Sequence, residues 1–205
     1  MVERSHPHTL IDRLWPPAGS ASGSGTWAAN LFRVLFLALV GSLLIAVSSK
    51  IKVPMVPVPM TLQTLVILVI GMAAGWRLGG LTVLLYLLEG AVGLPVFAGT
   101  PERGIGLAYM VGTTGGYLLG FLLATLVIGL LAEAGWDRSV PLAAAAMLIG
   151  NVVIYVPGLL WLGSVAGWDN PILQWGLTPF IVGDLVKLAI AALLMPAVWR
   201  LVRTN

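Results

Sequence analysis

LTPFIVGDLVKLAIAALLMPAVW, residues 177–199, carries just two ionised side chains, Asp184 and Lys187, in an otherwise uncharged stretch. About 20 apolar residues suffice to cross the hydrocarbon core of a bilayer. A charge at that depth costs roughly 2.5 kcal/mol or more, so something must offset it. The two residues are three apart, which puts both on one helix face; Leu188, Ala191 and Met195 extend that face. Two readings stand. The pair neutralises itself and holds helices together, or it marks a ligand site, with Lys187 receiving an anionic group and Asp184 accepting hydrogen bonds from ligand N–H donors.

Composition places the whole chain with that stretch. Of 205 residues, 59% are hydrophobic and 9% charged, against about 25% charged in soluble domains. The net charge of +3 comes from basic residues scattered singly at segment ends. That pattern does not suit nucleic acid, which asks for a basic patch. Cysteine is absent, which excludes disulfides, thiol catalysis and thiolate metal sites. His6 and His8 lie in a polar N-terminal tail and read as solvated, so no metal is expected. Residues 1–26 are rich in Pro, Ser and Gly and lack the apolar core of a signal peptide. They are expected to be disordered or loosely ordered, with 27–205 as the membrane domain.

Six apolar runs follow: 27–47, 60–75, 78–94, 109–131, 140–162 and 177–201. They are too long and too uniformly apolar for barrel strands, so the fold class is all-α, six transmembrane helices in one compact bundle. Runs two and three are short for full spans. The loop 48–59 contains Pro54, Pro57 and Pro59, which forbid a regular helix. An even number of spans puts both termini on one side. Arg4, Arg13, Arg33, Arg77, Arg138, Arg200 and Arg203 fall on that side; Lys50, Lys52 and Arg103 fall on the other. The bias predicts cytoplasmic termini. Trp27, Trp76, Trp136 and Trp199 then mark the inner interface, and Trp161, Trp168 and Trp175 the outer one. No loop is long enough for a soluble domain, and no G-x-x-x-x-G-K-[ST] phosphate loop is present. Uphill transport would draw on an ion gradient or a separate ATPase.

Other polar residues each carry two readings. Asn151 and Tyr155, four apart on run five, share a face; Asn offers a donor and an acceptor to an amide or urea group, or makes an interhelical bond worth roughly 1 kcal/mol. Gln63 lies inside run two and needs a polar partner, while Thr61 reads as a helix cap. Glu89, late in run three, is a site residue or an interfacial carboxylate bonded to loop backbone. Arg103, in the Gly-rich loop 95–108, can grip a carboxylate or stand in solvent. Ala38, Ser42 and Ala46 form a small-residue stripe, for partner docking or for packing. Gly112, Gly115, Gly116 and Gly120 have the same two readings.

Four stretches are familiar together: KVPMVPVPMTLQTL (52–65), YLLEGAVGLPVFAG (86–99), GTTGGYLLGF (112–121) and PFIVGDLVK (179–187). In this order and spacing the chain resembles the BioY family, the biotin-binding S components of energy-coupling factor (ECF) transporters, over about residues 35–202. The resemblance implies capture of biotin from outside a prokaryotic cell membrane. It also implies partnership with a membrane coupling protein and ATP-hydrolysing subunits, with no cofactor and no catalysis. Some family members act without those partners. Carried onto this sequence, Lys187, helped by Arg103, would take the valerate carboxylate of biotin, and Asp184 and Asn151 the ureido ring. Tyr117, Tyr155 and Phe97 would wall the apolar rings, with Glu89 and Gln63 nearby. The resemblance also favours docking for Ala38, Ser42 and Ala46. Where the family often has Gly-Pro-Thr-Gly-Gly-Tyr, this chain has Thr113 in place of the proline. The competing readings are an intramembrane enzyme using Glu89 or Asp184, and a ligand-free assembly subunit. No nucleophile–base pair or H-E-x-x-H motif supports the enzyme.

Overall fold

The computed structural model describes residues 9–19, 24–99 and 105–203. The order is α1 (Leu10–Leu14), α2 (Ser24–Lys50), β1 (Lys52–Val53), β2 (Met60–Thr61), α3 (Gln63–Ala91), α4 (Leu107–Met110), α5 (Gly115–Glu133), α6 (Val140–Ala166), α7 (Ile172–Gly176) and α8 (Ile181–Arg203). Single 3-10 turns sit before α6 and α8. Among the described residues, five helical segments are long and apolar enough to cross a membrane. Helix α2 runs on through Lys50, three residues into the expected loop; beyond it the proline-bearing segment 51–59 returns through a two-residue antiparallel ladder that pairs Lys52 with Thr61 and Val53 with Met60.

The difference between six expected runs and five long helices lies in α3. At Gly75 the backbone takes φ 74° and ψ 178°, a region essentially reserved for glycine. Here the chain doubles back. Gln63 Nε2 donates to the Tyr86 hydroxyl at 2.7 Å, although a straight helix would hold those residues about 35 Å apart. Runs two and three are therefore two arms lying side by side. Gly129 of α5 leaves room for the turn, since a Cβ there would strike the backbone of Trp76. Glu133 Oε1 accepts from the Trp76 N–H at 3.3 Å, satisfying a donor at the start of the second arm.

Run four is also not one helix. It divides into α4 and α5 around 111–114, where Thr113 stands in place of a proline and makes a long 3.4 Å contact to the Pro57 carbonyl. On α5, a side chain at Gly116 would run into the Pro157 carbonyl; the small residue lets α5 and α6 approach closely. Within the stretch expected to be a loose tail, residues 9–19 carry α1 and lie along α2. Asp12 pairs with Arg33 at 2.8 Å, and Ala18 N–H and C=O both bond the Asn30 amide.

The small-residue stripe of α2 faces inward. Ala38 and Ser42 are buried, and the Ser42 hydroxyl donates to the Glu89 carboxylate on α3. Those two side chains pack α2 against α3 and are not presented to a partner; Ala46 is half-buried. What α2 exposes is apolar, including Phe32, Leu35, Leu39 and Leu43.

Candidate functional site

The Asp184–Lys187 pair belongs to a cleft at the end of the bundle away from Gly75. Three segments build it. The β1–β2 connection leads into α3 and brings Thr61, Gln63 and Thr64; α5 and α6 bring Tyr117 and Tyr155; the first turns of α8 bring the charges. The cleft and its open mouth together enclose about 540 Å³ of non-atom space.

Lys187 Nζ donates to the Asp184 carboxylate at 2.9 Å, the Thr64 hydroxyl at 2.9 Å and the Thr61 carbonyl at 2.8 Å. An ammonium has three donors, so each has a protein acceptor. Asp184 Oδ1 also accepts from the Thr64 hydroxyl at 3.2 Å, and Oδ2 accepts from the Tyr155 hydroxyl. The cost of burying two charges is offset by this closed network. The side chains are only 12% and 7% exposed, yet both border the cleft. Asp184 Oδ2 retains a lone-pair direction beyond Tyr155.

The other walls are aromatic and apolar. Tyr117 and Tyr155 meet edge to face at 6.2 Å, and Tyr155 leans on Phe180. Tyr117 is fixed by donating to the Gly176 carbonyl at 2.8 Å. Gln63 is oriented from both sides, by Tyr86 and by the Thr61 hydroxyl at 3.1 Å. Tyr109 and Ala98 close the cleft near the loop after α3. That loop is strapped to the end of α2: Ser49 donates to the Val96 carbonyl, Lys50 to that of Phe97 and Lys52 to that of Ala98.

Of the residues singled out in the sequence, Asp184, Lys187, Tyr155, Tyr117 and Gln63 come together around this space. Phe97 stands behind the wall, stacked on Tyr109 at 5.0 Å. Asn151 is buried one helical turn from Tyr155, outside the lining, and its Oδ1 has no partner among the described residues. Glu89 is engaged with Ser42 and does not reach the cleft. Arg103, like His6 and His8, lies outside the described residues. Thr64, Tyr109, Thr114 and Phe180 line the site without having been singled out. Thr64 was signalled by a hydroxyl one turn after Thr61 in an apolar run. Thr114 and Phe180 sat inside the quoted motifs GTTGGY and PFIVGDLVK.

The family model described as the BioY family matches residues 21–204. The chain belongs to the BioY family. Its relatives include the biotin transporter BioY of Thermotoga maritima, 40% identical over 79% of this chain and 93% of that protein. The biotin transporter BioY of Rhodobacter capsulatus is 41% identical over 78% and 89%. The probable biotin transporter BioY of Pyrococcus horikoshii is 38% identical over 78% and 89%. A crystal structure of the S-component for biotin from an ECF-type ABC transporter superposes with a TM-score of 0.69, covering 88% of this chain and 95% of that one at 23% identity. That likeness is one of fold.

Proposed function

We propose that this chain is the biotin-capturing membrane subunit of an uptake transporter, a multi-pass protein of a prokaryotic cell membrane. It binds and delivers a substrate and is not an enzyme. It works with a membrane coupling protein and ATP-hydrolysing subunits. Membership of the BioY family supports the substrate. The single observation that carries the reading is a largely buried ion pair bordering an open, aromatic-walled cleft.

The proposed pose uses the acceptors and donors the cleft offers. Asp184 Oδ2 takes one ureido N–H. Asn151, one turn from Tyr155 and outside the lining in this structure, takes the other through its buried Oδ1, which has no partner among the described residues. Lys187 meets the valerate carboxylate by exchanging its bond to the Thr64 hydroxyl, and Arg103, which lies outside the described residues, assists. Tyr117, Tyr155 and Phe180 bracket the fused rings, with Phe97 supporting Tyr109 behind them. Gln63 lies at the rim, and Glu89 contributes by fixing α3 to α2.

The Gly75 turn supports six crossings, with the arms of α3 counted separately. Arg33 and Arg77 gather near that turn, whereas Lys50 and Lys52 lie at the cleft end. By the positive-inside bias, the termini and the turn face the cytoplasm and the cleft faces outward. The coupling subunits dock along α2, where Ala46 is the stripe member nearest the surface. Uptake tests the assignment directly. A biotin-auxotrophic host expressing this chain with coupling subunits grows on trace biotin, and intact biotin co-purifies with the protein. Failure of both, or recovery of an altered molecule, contradicts it.

A further inference from the structure

A second cavity opens at the other end of the bundle, around the Gly75 turn. It holds about 1110 Å³, its mouth included. Four charged side chains face it: Arg33 and Arg77, Asp12 and Glu133. Arg33 is 6% exposed. Its Nη2 donates to Asp12 Oδ1 at 2.8 Å, but its Nε has no partner among the described residues. A buried guanidinium N–H without an acceptor is rare and asks for one. Asp12 is occupied on both oxygens, by Arg33 and by the Thr9 hydroxyl at 2.8 Å. Glu133 uses Oε1 on the Trp76 N–H. Arg77 lies 5.1 Å over the Trp76 indole, a ring that favours headgroup depth. Along one side the wall is apolar, formed by Val34, Leu78 and Leu81, and it runs on to exposed Leu35 and Leu84.

We propose that this cavity binds the headgroup of a phospholipid carrying both a phosphate and a primary ammonium. The phosphate takes the guanidinium of Arg77 and, with a turn of the Arg33 side chain toward the cavity, its now-buried Nε; guanidinium groups are suited to planar, charge-assisted hydrogen bonds. The ammonium takes the second oxygen of Glu133. A simple anion would also face Asp12 and Glu133, and a simple cation would face two arginines, so the balanced set of charges selects a zwitterion. The apolar wall receives the start of an acyl chain. A trimethylated ammonium has no N–H to give Glu133, so ethanolamine is preferred to choline.

The test uses the full-length protein, delipidated in detergent and loaded with dioleoyl phosphatidylethanolamine, phosphatidylcholine or phosphatidylglycerol. Native mass spectrometry reads the retained lipid. Wild type is expected to retain the ethanolamine lipid about tenfold better than either of the others, the scale of one charge-assisted bond. Arg33→Gln lowers retention of all three. Glu133→Gln keeps the cap on Trp76 but abolishes the preference for ethanolamine over choline. Should Arg33→Gln fail to fold, the exposed Arg77→Gln replaces it, with weaker retention of all three expected. Equal retention of the three lipids by wild type overturns the proposal. So does complete displacement of the ethanolamine lipid by inorganic phosphate, which would assign the cavity to a free anion.

Discussion

Lys187, half-buried, and Arg33, buried, are both cations inside a lipid-embedded bundle, and they are satisfied differently. Lys187 has an acceptor for every proton, drawn from α8, from Thr64 and from the backbone before α3. Arg33 has Asp12 on one nitrogen and, among the described residues, no acceptor on its Nε. The cleft end is thus a closed network beside an open space. The turn end is an incomplete network. The contrast shows that a buried charge does not by itself reveal a ligand; what matters is which of its hydrogen bonds the protein has already made, and what space adjoins them.

Substitutions can break this comparison. The largest effect is expected from Lys187→Ala, which leaves the Asp184 carboxylate buried with hydroxyl partners alone; stability should fall by about 3–5 kcal/mol, read as a lower unfolding midpoint in detergent. Arg33→Gln should cost less, because Asp12 is about one-third exposed on its side chain and can turn to water. Gly75→Ala comes next. The residue would have to hold φ 74° with its Cβ 2.5 Å from Glu133 Oε1 and 2.7 Å from Thr9 Cγ2, at a cost of about 1–3 kcal/mol in the backbone alone. Its signature is lost stability with biotin affinity unchanged in the folded fraction. The smallest effect belongs to Glu89→Gln. The amide oxygen can still accept from Ser42, so biotin affinity should change by less than about threefold, under the 1.4 kcal/mol that a tenfold change represents. A larger loss would bring Glu89 back into the site.

The class of the fold was legible because lipid leaves few ways to satisfy a backbone, and long apolar runs at 27–47 and 140–162 matched α2 and α6 within a few residues. The break in run four at 111–114 was hidden, because Gly and Thr there are compatible with helix and with turn. The reversal at Gly75 falls at the gap between runs 60–75 and 78–94, where Trp76 and Arg77 interrupt the apolar pattern; the backbone angle that makes the turn has no such mark. At the site, Asp184 and Lys187 were legible as charges out of place. The Thr61 carbonyl that holds Lys187 was not, because a backbone acceptor has no letter in a sequence. Ala38 and Ser42 show the opposite limit: small residues at helical spacing announce a close approach but do not say which surface approaches.

The most direct measurement is equilibrium binding of radiolabelled biotin to the purified full-length protein and to Asp184→Asn and Lys187→Ala, each confirmed folded. With the charged pair at the centre of the site, both substitutions should weaken binding by about a hundredfold or more, the scale of a charged hydrogen bond lost in a dry cleft. Undiminished affinity in both would remove the pair from the site and leave it as a purely structural brace between α3, α6 and α8.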